Sequence, residues 1–362
     1  MKPKKVLHIS TARSWRGGEQ QIAYLVQELK KLGLQQHIAC IKDAPLHQWA
    51  LQNDIPVLAL RKSSSIDLRF SYQLKAYSKK EAFDIWHAHD AHAHGFAVYA
   101  QHFFKAVARI IVSRRVDFPV AKSKLSAFKY NHPCVYRYLA VSDAIADILR
   151  STLKNPSRVF TVHSANNPQR FENPEKGKIR QEFSAIADRF WVGNVAALTG
   201  HKDLFTFLDT AKYLVHKDPQ MHFFIAGTGE LENELKAYAA NLELDTHCSF
   251  LGFRDDVPSI LADLDCFLFS SEMEGLGTSV LDAFASKTPV VATNAGGIPE
   301  MVKHEESGLI CEVKDYAALG EAVLRIKNEA KLREQIIEGA LLKLKAFSPQ
   351  KMAESTISHY QA

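Results

Sequence analysis

At 362 residues the chain exceeds the size at which one hydrophobic core usually stops growing, so two domains are expected. With 46% hydrophobic and 23% charged residues, and no apolar run near the ~20 residues of a membrane span, the composition fits a globular enzyme and excludes fibrous, disordered and membrane-spanning classes. The net charge of +5 conceals a division: residues 1–170 hold 26 Lys and Arg against 11 Asp and Glu, and the remainder 19 against 29. A basic first half points to an acidic partner, for which anionic lipid, a phosphorylated glycan and nucleic acid all qualify; no motif matches nucleic-acid binding. Five scattered cysteines, none spaced Cys-x-x-Cys, read as reduced thiols of a cytoplasmic protein. The basic start, followed by only four apolar residues, reads as a first strand and not as a signal-peptide core.

Short β-branched runs alternate with helical patterns, which predicts parallel α/β layers. The first half predicts strands at Val6–Ser10, His37–Ile41, Val57–Ala59, Ile85–His89, Arg109–Val112, Tyr138–Val141 and Phe160–His163. The second half predicts them at Phe190–Ala196, His222–Ala226, Cys248–Phe250, Cys266–Phe269, Val290–Ala292 and Gly308–Cys311. Helical periodicity falls between, as at Glu19–Leu32, Ala144–Leu153, Leu204–His216 and Glu230–Leu242. Ala165–Lys178, rich in Pro, Asn and charge, is the linker candidate.

Several strand ends carry chemistry. Arg16-Gly17-Gly18-Glu19 opens a helix after the first strand, where glycines admit a ligand and the helix dipole favours an anion; a dinucleotide fingerprint is not met. His87-Ala-His89-Asp90-Ala-His92-Ala-His94 lies at the carboxyl end of a predicted strand, the edge where open α/β sheets bind ligands. Alternation should split these side chains between faces, and no Cys or Glu partner has matching spacing, so no metal site is expected. Gly227-Thr-Gly229 is another glycine turn into a helix. Asp255-Asp256 precedes Val-Pro, where an acid can cap a helix.

The most informative stretch runs from Ser270 to Ala285. A buried strand leads into a glycine turn and then a helix, so backbone N–H groups should face an anion such as a phosphate. Two carboxylates, Glu274 and Asp282, flank that turn and suit hydroxyl groups. Phosphate together with polyol points to a nucleotide-sugar.

This stretch resembles the Glu-x7-Glu signature of family 4 retaining glycosyltransferases, enzymes of the GT-B fold. The resemblance continues through Pro289–Glu300, Ser307–Ile310 and Phe250–Pro258. It implies an α/β architecture of two Rossmann-like, doubly wound parallel-sheet domains facing a central cleft. The implied boundaries are 1–168 for an acceptor-binding domain, 178–348 for a nucleotide-sugar domain, and 349–362 for a final helix packing on the first domain. The implied activity is retaining, metal-independent transfer from a nucleotide-diphosphate-sugar to a glycan or lipid-linked acceptor, in cell-surface polysaccharide or lipopolysaccharide synthesis, with no cofactor.

Residue by residue, the resemblance puts Glu274 on the transferred sugar, His89 beside it and Lys202 on the donor diphosphate. Asp282 would hold the ribose. Gly275, Leu276, Gly277, Thr278, Ser279, Gly17, Gly18, Gly227, Phe253 and Arg254 would contact the donor, and Arg16, Arg114 and Arg115 the acceptor. The sequence departs from the family at Asp282, usually Glu, and at Ala197, usually Arg; Arg254 is the candidate to replace the missing guanidinium. Arg114-Arg115, Lys122, Lys124, Lys129 and Arg137, interleaved with Leu125, Phe128 and Tyr130, suggest a surface for an anionic membrane, with the protein peripheral on its cytoplasmic face. A nucleotide-sugar 2-epimerase and a non-catalytic nucleotide-sugar-binding protein are the alternative readings.

Overall fold

The computed structural model describes residues 5–117, 120 and 123–361, which form two compact units. Residues up to Ala165, together with those from Pro349 on, make the first; Asn166–Ser348 makes the second. The division falls at the start of the segment read as a linker.

The first unit is built on strands β1 (Val6–Ile9), β2 (Gln36–Ile41), β3 (Val57–Leu60), β4 (Ile85–Ala88), β5 (Arg109–Arg114), β6 (Val135–Ala140) and β7 (Val159–Thr161). They pair in parallel in the order β3-β2-β1-β4-β5-β6-β7. The second contains β8 (Phe190–Val195), β9 (Met221–Ala226), β10 (Cys248–Gly252), β11 (Cys266–Phe269), β12 (Val290–Thr293) and β13 (Leu309–Cys311). These also pair in parallel, in the order β10-β9-β8-β11-β12-β13. Each sheet reverses its strand order once, between β1 and β4 and between β8 and β11. A crevice opens at such a reversal because the connecting helices leave in opposite directions.

Strands such as Cys266–Phe269 are apolar and buried at every position, as expected where helices cover both faces of a parallel sheet. The helix Gly17–Lys31 buries Ile22, Leu25, Val26 and Leu29, a spacing that places one stripe on the sheet. The final helix, Pro349–Gln361, belongs to the first unit. Its buried Met352, Ala353 and Tyr360 share a core with Tyr24, Leu25 and Leu29. All thirteen predicted strands are present. β6 begins three residues before its expected start because Arg137 sits inside the strand, its guanidinium stacked 5.0 Å from the Tyr136 ring and 4.8 Å from that of Phe160.

Candidate functional site

In the second unit the site candidates gather where β8 and β11 end. The Ala196–Asp203 loop follows β8 and the Ser270–Gly277 turn follows β11. The two are tied together by Glu272 N–H donating to the His201 carbonyl at 3.0 Å and Ser270 Oγ donating to that of Asp203 at 2.9 Å. These ties bring Lys202 onto Glu274: its ammonium is paired with Oε1, the same oxygen that accepts from Ser271 Oγ at 2.9 Å. Glu274 is buried, yet it is compensated by a cation and a hydroxyl.

The turn is shaped for this contact. Gly277 has φ of 81° and caps the helix Thr278–Ala285 without any side-chain hydrogen bond, so the first N–H groups of that helix are not claimed by a capping side chain. Gly296 has φ of 49°, and a Cβ there would lie 1.9 Å from the Glu274 carbonyl oxygen. That Gly-Gly pair therefore holds the Glu274 turn in place. Gly297 N–H adds a 3.3 Å bond to the same carbonyl. Gly275 lies within the turn. Leu276 buries its side chain, which leaves its backbone as the part able to meet a ligand. Gly227 ends β9 and donates to the Gly252 carbonyl at 2.8 Å.

Asp282 lies one helical turn beyond Thr278. Its Oδ1 accepts from Asn166 Nδ2 at 2.5 Å, and burial pushes its pKa up to about 6 despite the nearby Arg170 cation and the Asn166 bond. Asn166 is itself buried, and its own Oδ1 has no hydrogen-bond partner among the described residues. Sequence reasoning missed this residue, since an Asn in a polar linker carries no signal of burial.

Arg254, the candidate to replace the guanidinium missing at Ala197, grips Asp256 at 2.7 and 2.8 Å and Glu182 at 2.9 and 3.1 Å, so its N–H groups are occupied by carboxylates of the chain itself. Asp256 makes no capping bond with its side chain; it serves Arg254 and Lys178. The neighbouring Phe253 is 77% exposed.

In the first unit the ends of β1, β4 and β5 carry the other candidates. Asp90 binds the chain after β1, accepting from Thr11 N–H at 2.5 Å and Thr11 Oγ1 at 2.8 Å. It also caps the helix Ala91–Phe104 through His92 and Ala93 N–H at 2.9 Å. Gly17 starts the first helix, and Arg16 is exposed. At that helix start Glu19 is buried, its carboxylate accepting from Arg16 N–H at 3.0 Å and its pKa raised by burial.

The expected split between faces fails for His87 and His89, which are two residues apart and so share a side under the strand's period of two. Their ring centroids are 4.1 Å apart, and His8 from β1 joins them at 5.6 and 5.2 Å. All three are buried, and burial lowers every one of their pKa values, that of His8 to about 4. Their nitrogens lie within 4.8 Å of one another and already bond inside the unit: His8 to Gln36 and His89, His87 to Tyr360 and Ser113. His92 is exposed, whereas His94, in the first turn of the helix Ala91–Phe104, is fully buried against Tyr130 and Tyr138.

The proposed basic surface is partly dissolved by internal bonding. Arg114 is buried and donates to Tyr130 Oη at 3.0 Å; Lys129 donates to the Ala91 carbonyl at 3.0 Å, and burial lowers its pKa to about 8. Arg115 approaches His89 Nδ1 at 3.4 Å and Gly18. Lys124, Leu125 and Phe128 remain exposed, and Lys122 lies outside the described residues.

Comparison with known proteins follows the same division. Residues 15–170 match glycosyltransferase family 4, and residues 175–342 match glycosyl transferases group 1. An Escherichia coli UDP-Gal:alpha-D-GlcNAc-diphosphoundecaprenol alpha-1,3-galactosyltransferase is 24% identical over 304 residues, 79% of either chain. The Bacillus anthracis N-acetyl-alpha-D-glucosaminyl L-malate synthase is 23% identical over 82% of this chain and 78% of its own. The crystal structure of Anabaena HepE in complex with UDP-glucose superposes with a TM-score of 0.86, at 18% identity and 99% of both chains.

Proposed function

From the premise that the chain belongs to the family 4 glycosyltransferases of GT-B fold, we propose that it transfers a sugar from a uridine-diphosphate-sugar to a hydroxyl of a glycan or lipid-linked acceptor, with retention at the anomeric carbon. The observation that carries this reading is the Lys202–Glu274–Ser271 cluster beside the uncapped start of the helix Thr278–Ala285, with Asp282 one turn further along.

The roles follow from charge. When the sugar–phosphate bond breaks, negative charge grows on the departing diphosphate. Lys202 and the N–H groups of Gly277, Thr278 and Ser279 are preorganised positive ends for it, which makes a metal ion unnecessary in this scheme. Glu274 accepts hydrogen bonds from hydroxyls of the donor sugar and holds the ring while the acceptor oxygen enters on the face the diphosphate leaves. Lys202 then exchanges part of its contact with Glu274 for phosphate oxygen. Asp282 takes the ribose hydroxyls, and Gly275, Leu276 and Gly227 offer backbone at the donor; Phe253 supplies an exposed ring for the base. In the first unit, His89 lies beside the transferred sugar, Gly17 and Gly18 admit the substrate, and Arg16 and Arg115 supply charge for an anionic acceptor. No cofactor enters this scheme.

The diphosphoundecaprenol-linked substrate named for the Escherichia coli relative favours a cell-surface glycan as the product and a peripheral place on the cytoplasmic membrane face. The test is transfer from UDP-sugars to a lipid-linked acceptor. Glu274→Ala should abolish product while UDP still binds. Isomerised donor in the absence of acceptor would instead establish a 2-epimerase, and UDP binding without turnover a binding protein.

A further inference from the structure

Two buried histidines of the first unit, His8 and His89, lie in one line of hydrogen-bond contacts that ends on Gln36. Gln36, at the start of β2, is buried, and its Nε2 lies 2.9 Å from the Val26 carbonyl oxygen. A carbonyl only accepts, so the amide end facing it must be the NH2 group, and this settles which way the glutamine points. Its Oε1 then faces His8 Nε2 at 3.1 Å as an acceptor, which requires a proton on His8 Nε2.

Because burial keeps His8 neutral at physiological pH, its Nδ1 carries a lone pair. That lone pair faces His89 Nε2 at 3.0 Å, so His89 must bring the proton there. His89 is likewise buried and neutral, and its Nδ1 is therefore the unprotonated nitrogen. Arg115 Nη2, which can only donate, lies 3.4 Å from that Nδ1. The four links agree in sense, from Arg115 through His89 and His8 to Gln36 and the Val26 carbonyl. The reverse tautomer of His89 would point an N–H at a guanidinium N–H and drive Arg115 away.

We propose that Gln36 is a positioning residue that fixes His89 as the Nε2–H tautomer and thereby holds Arg115 at the start of the helix Gly17–Lys31. Its effect on turnover rests on the glycosyltransferase reading; the tautomer does not.

The test uses the full chain labelled with 15N-histidine. Ring-nitrogen spectra at pH 7.5 separate protonated from unprotonated nitrogens, with His8 and His89 assigned by their loss in His8→Asn and His89→Gln. The expected result is Nε2–H on both rings in the parent. Gln36→Met removes the acceptor and should mix the tautomers of both histidines, lowering turnover roughly tenfold or more, as expected when an orienting partner of a histidine is lost. Gln36→Glu loses the donor to the Val26 carbonyl and sets a carboxylate on His8, which favours a proton on His8 Nδ1 as well; that N–H should turn His89 over to Nδ1–H, with turnover falling as in Gln36→Met. An Nδ1–H on His89 in the parent overturns the proposal. So does an unchanged His89 register in folded Gln36→Met, or stoichiometric zinc on the purified protein, since a bound ion would then set the nitrogens. If the parent transfers no sugar at all, the function is wrong, and the spectra still decide the tautomer.

Discussion

Asn166 Nδ2 donates to Asp282 Oδ1 at 2.5 Å, joining the first residue of the second unit to the carboxylate that departs from the family pattern. The amide fixes the shorter acid and presents a second, unpartnered acceptor of its own beside it. Both should meet the ribose hydroxyls. Removing a buried partner of this kind costs about 1–3 kcal/mol, so Asn166→Ala should weaken UDP binding by roughly tenfold or more in isothermal calorimetry. An unchanged affinity would separate this pair from the nucleotide.

Asp282 also sets a pH dependence. Its folded pKa of about 6 lies above the ordinary 3.8, so the folded protein favours the protonated acid and is burdened by the ionised one. The burden is absent below the unfolded value, grows as the pH climbs between the two, and is complete above about 6. At ~1.4 kcal/mol per pH unit it reaches about 3 kcal/mol. Asp282→Asn should therefore be more stable than the parent at pH 7.5 by up to that amount, and equal to it near pH 3.5, in urea titrations. UDP affinity of the parent should fall as the pH drops through 6, because protonation removes the charge that attracts ribose hydroxyls. A flat affinity from pH 5 to 8 would contradict this role.

The Lys202–Glu274 pair invites a two-step test. Removing one member of a buried ion pair leaves the other uncompensated, so Lys202→Met should destabilise the protein as well as slow it. Loss of one preorganised donor to a developing anion costs ~10²–10³ in kcat, and turnover should fall accordingly. Adding Glu274→Gln should restore thermal stability without restoring transfer. Recovery of both together would mean that Lys202 serves only the fold.

These residues show what was legible in the chain. The strands were readable because sheets covered on both faces need unbroken apolar runs, and Cys266–Phe269 matches its predicted bounds. Glu274 and Lys202 were found through a local motif at a strand end. Partners that arrive from distant sequence were not readable: Asn166 on Asp282, Gln36 on His8, Tyr130 on Arg114. Arg254 shows the opposite failure. Its charge was visible, but its use was not, because Glu182 lies 72 residues away.

Arg254→Ala makes that failure testable. If its guanidinium braces Glu182 and Asp256, the substitution should cost about 1 kcal/mol of stability, as for a partly exposed ion-pair network. The donor KM should stay within about twofold if the guanidinium serves only Glu182 and Asp256. A large rise in KM with unchanged melting would return Arg254 to the diphosphate.

Internal bonding changes the residues available for membrane docking. With Arg114 and Lys129 drawn inward, exposed apolar side chains of the first unit near basic ones include Leu125 and Phe128 beside Lys124, and Tyr72, Phe103 and Val107 near Lys75, Lys79 and Lys105. Among the described residues no helix is long and apolar enough to cross a membrane. Each lysine near an anionic surface contributes about 1 kcal/mol, and the apolar side chains add their burial at the headgroup boundary. Lys75→Glu with Lys79→Glu and Lys105→Glu should therefore abolish co-sedimentation with vesicles containing about 30% anionic phosphatidylglycerol, while transfer to a detergent-solubilised acceptor persists. Binding that is indifferent to the anionic lipid fraction would remove the membrane from the scheme and leave the basic half to a soluble, charged acceptor.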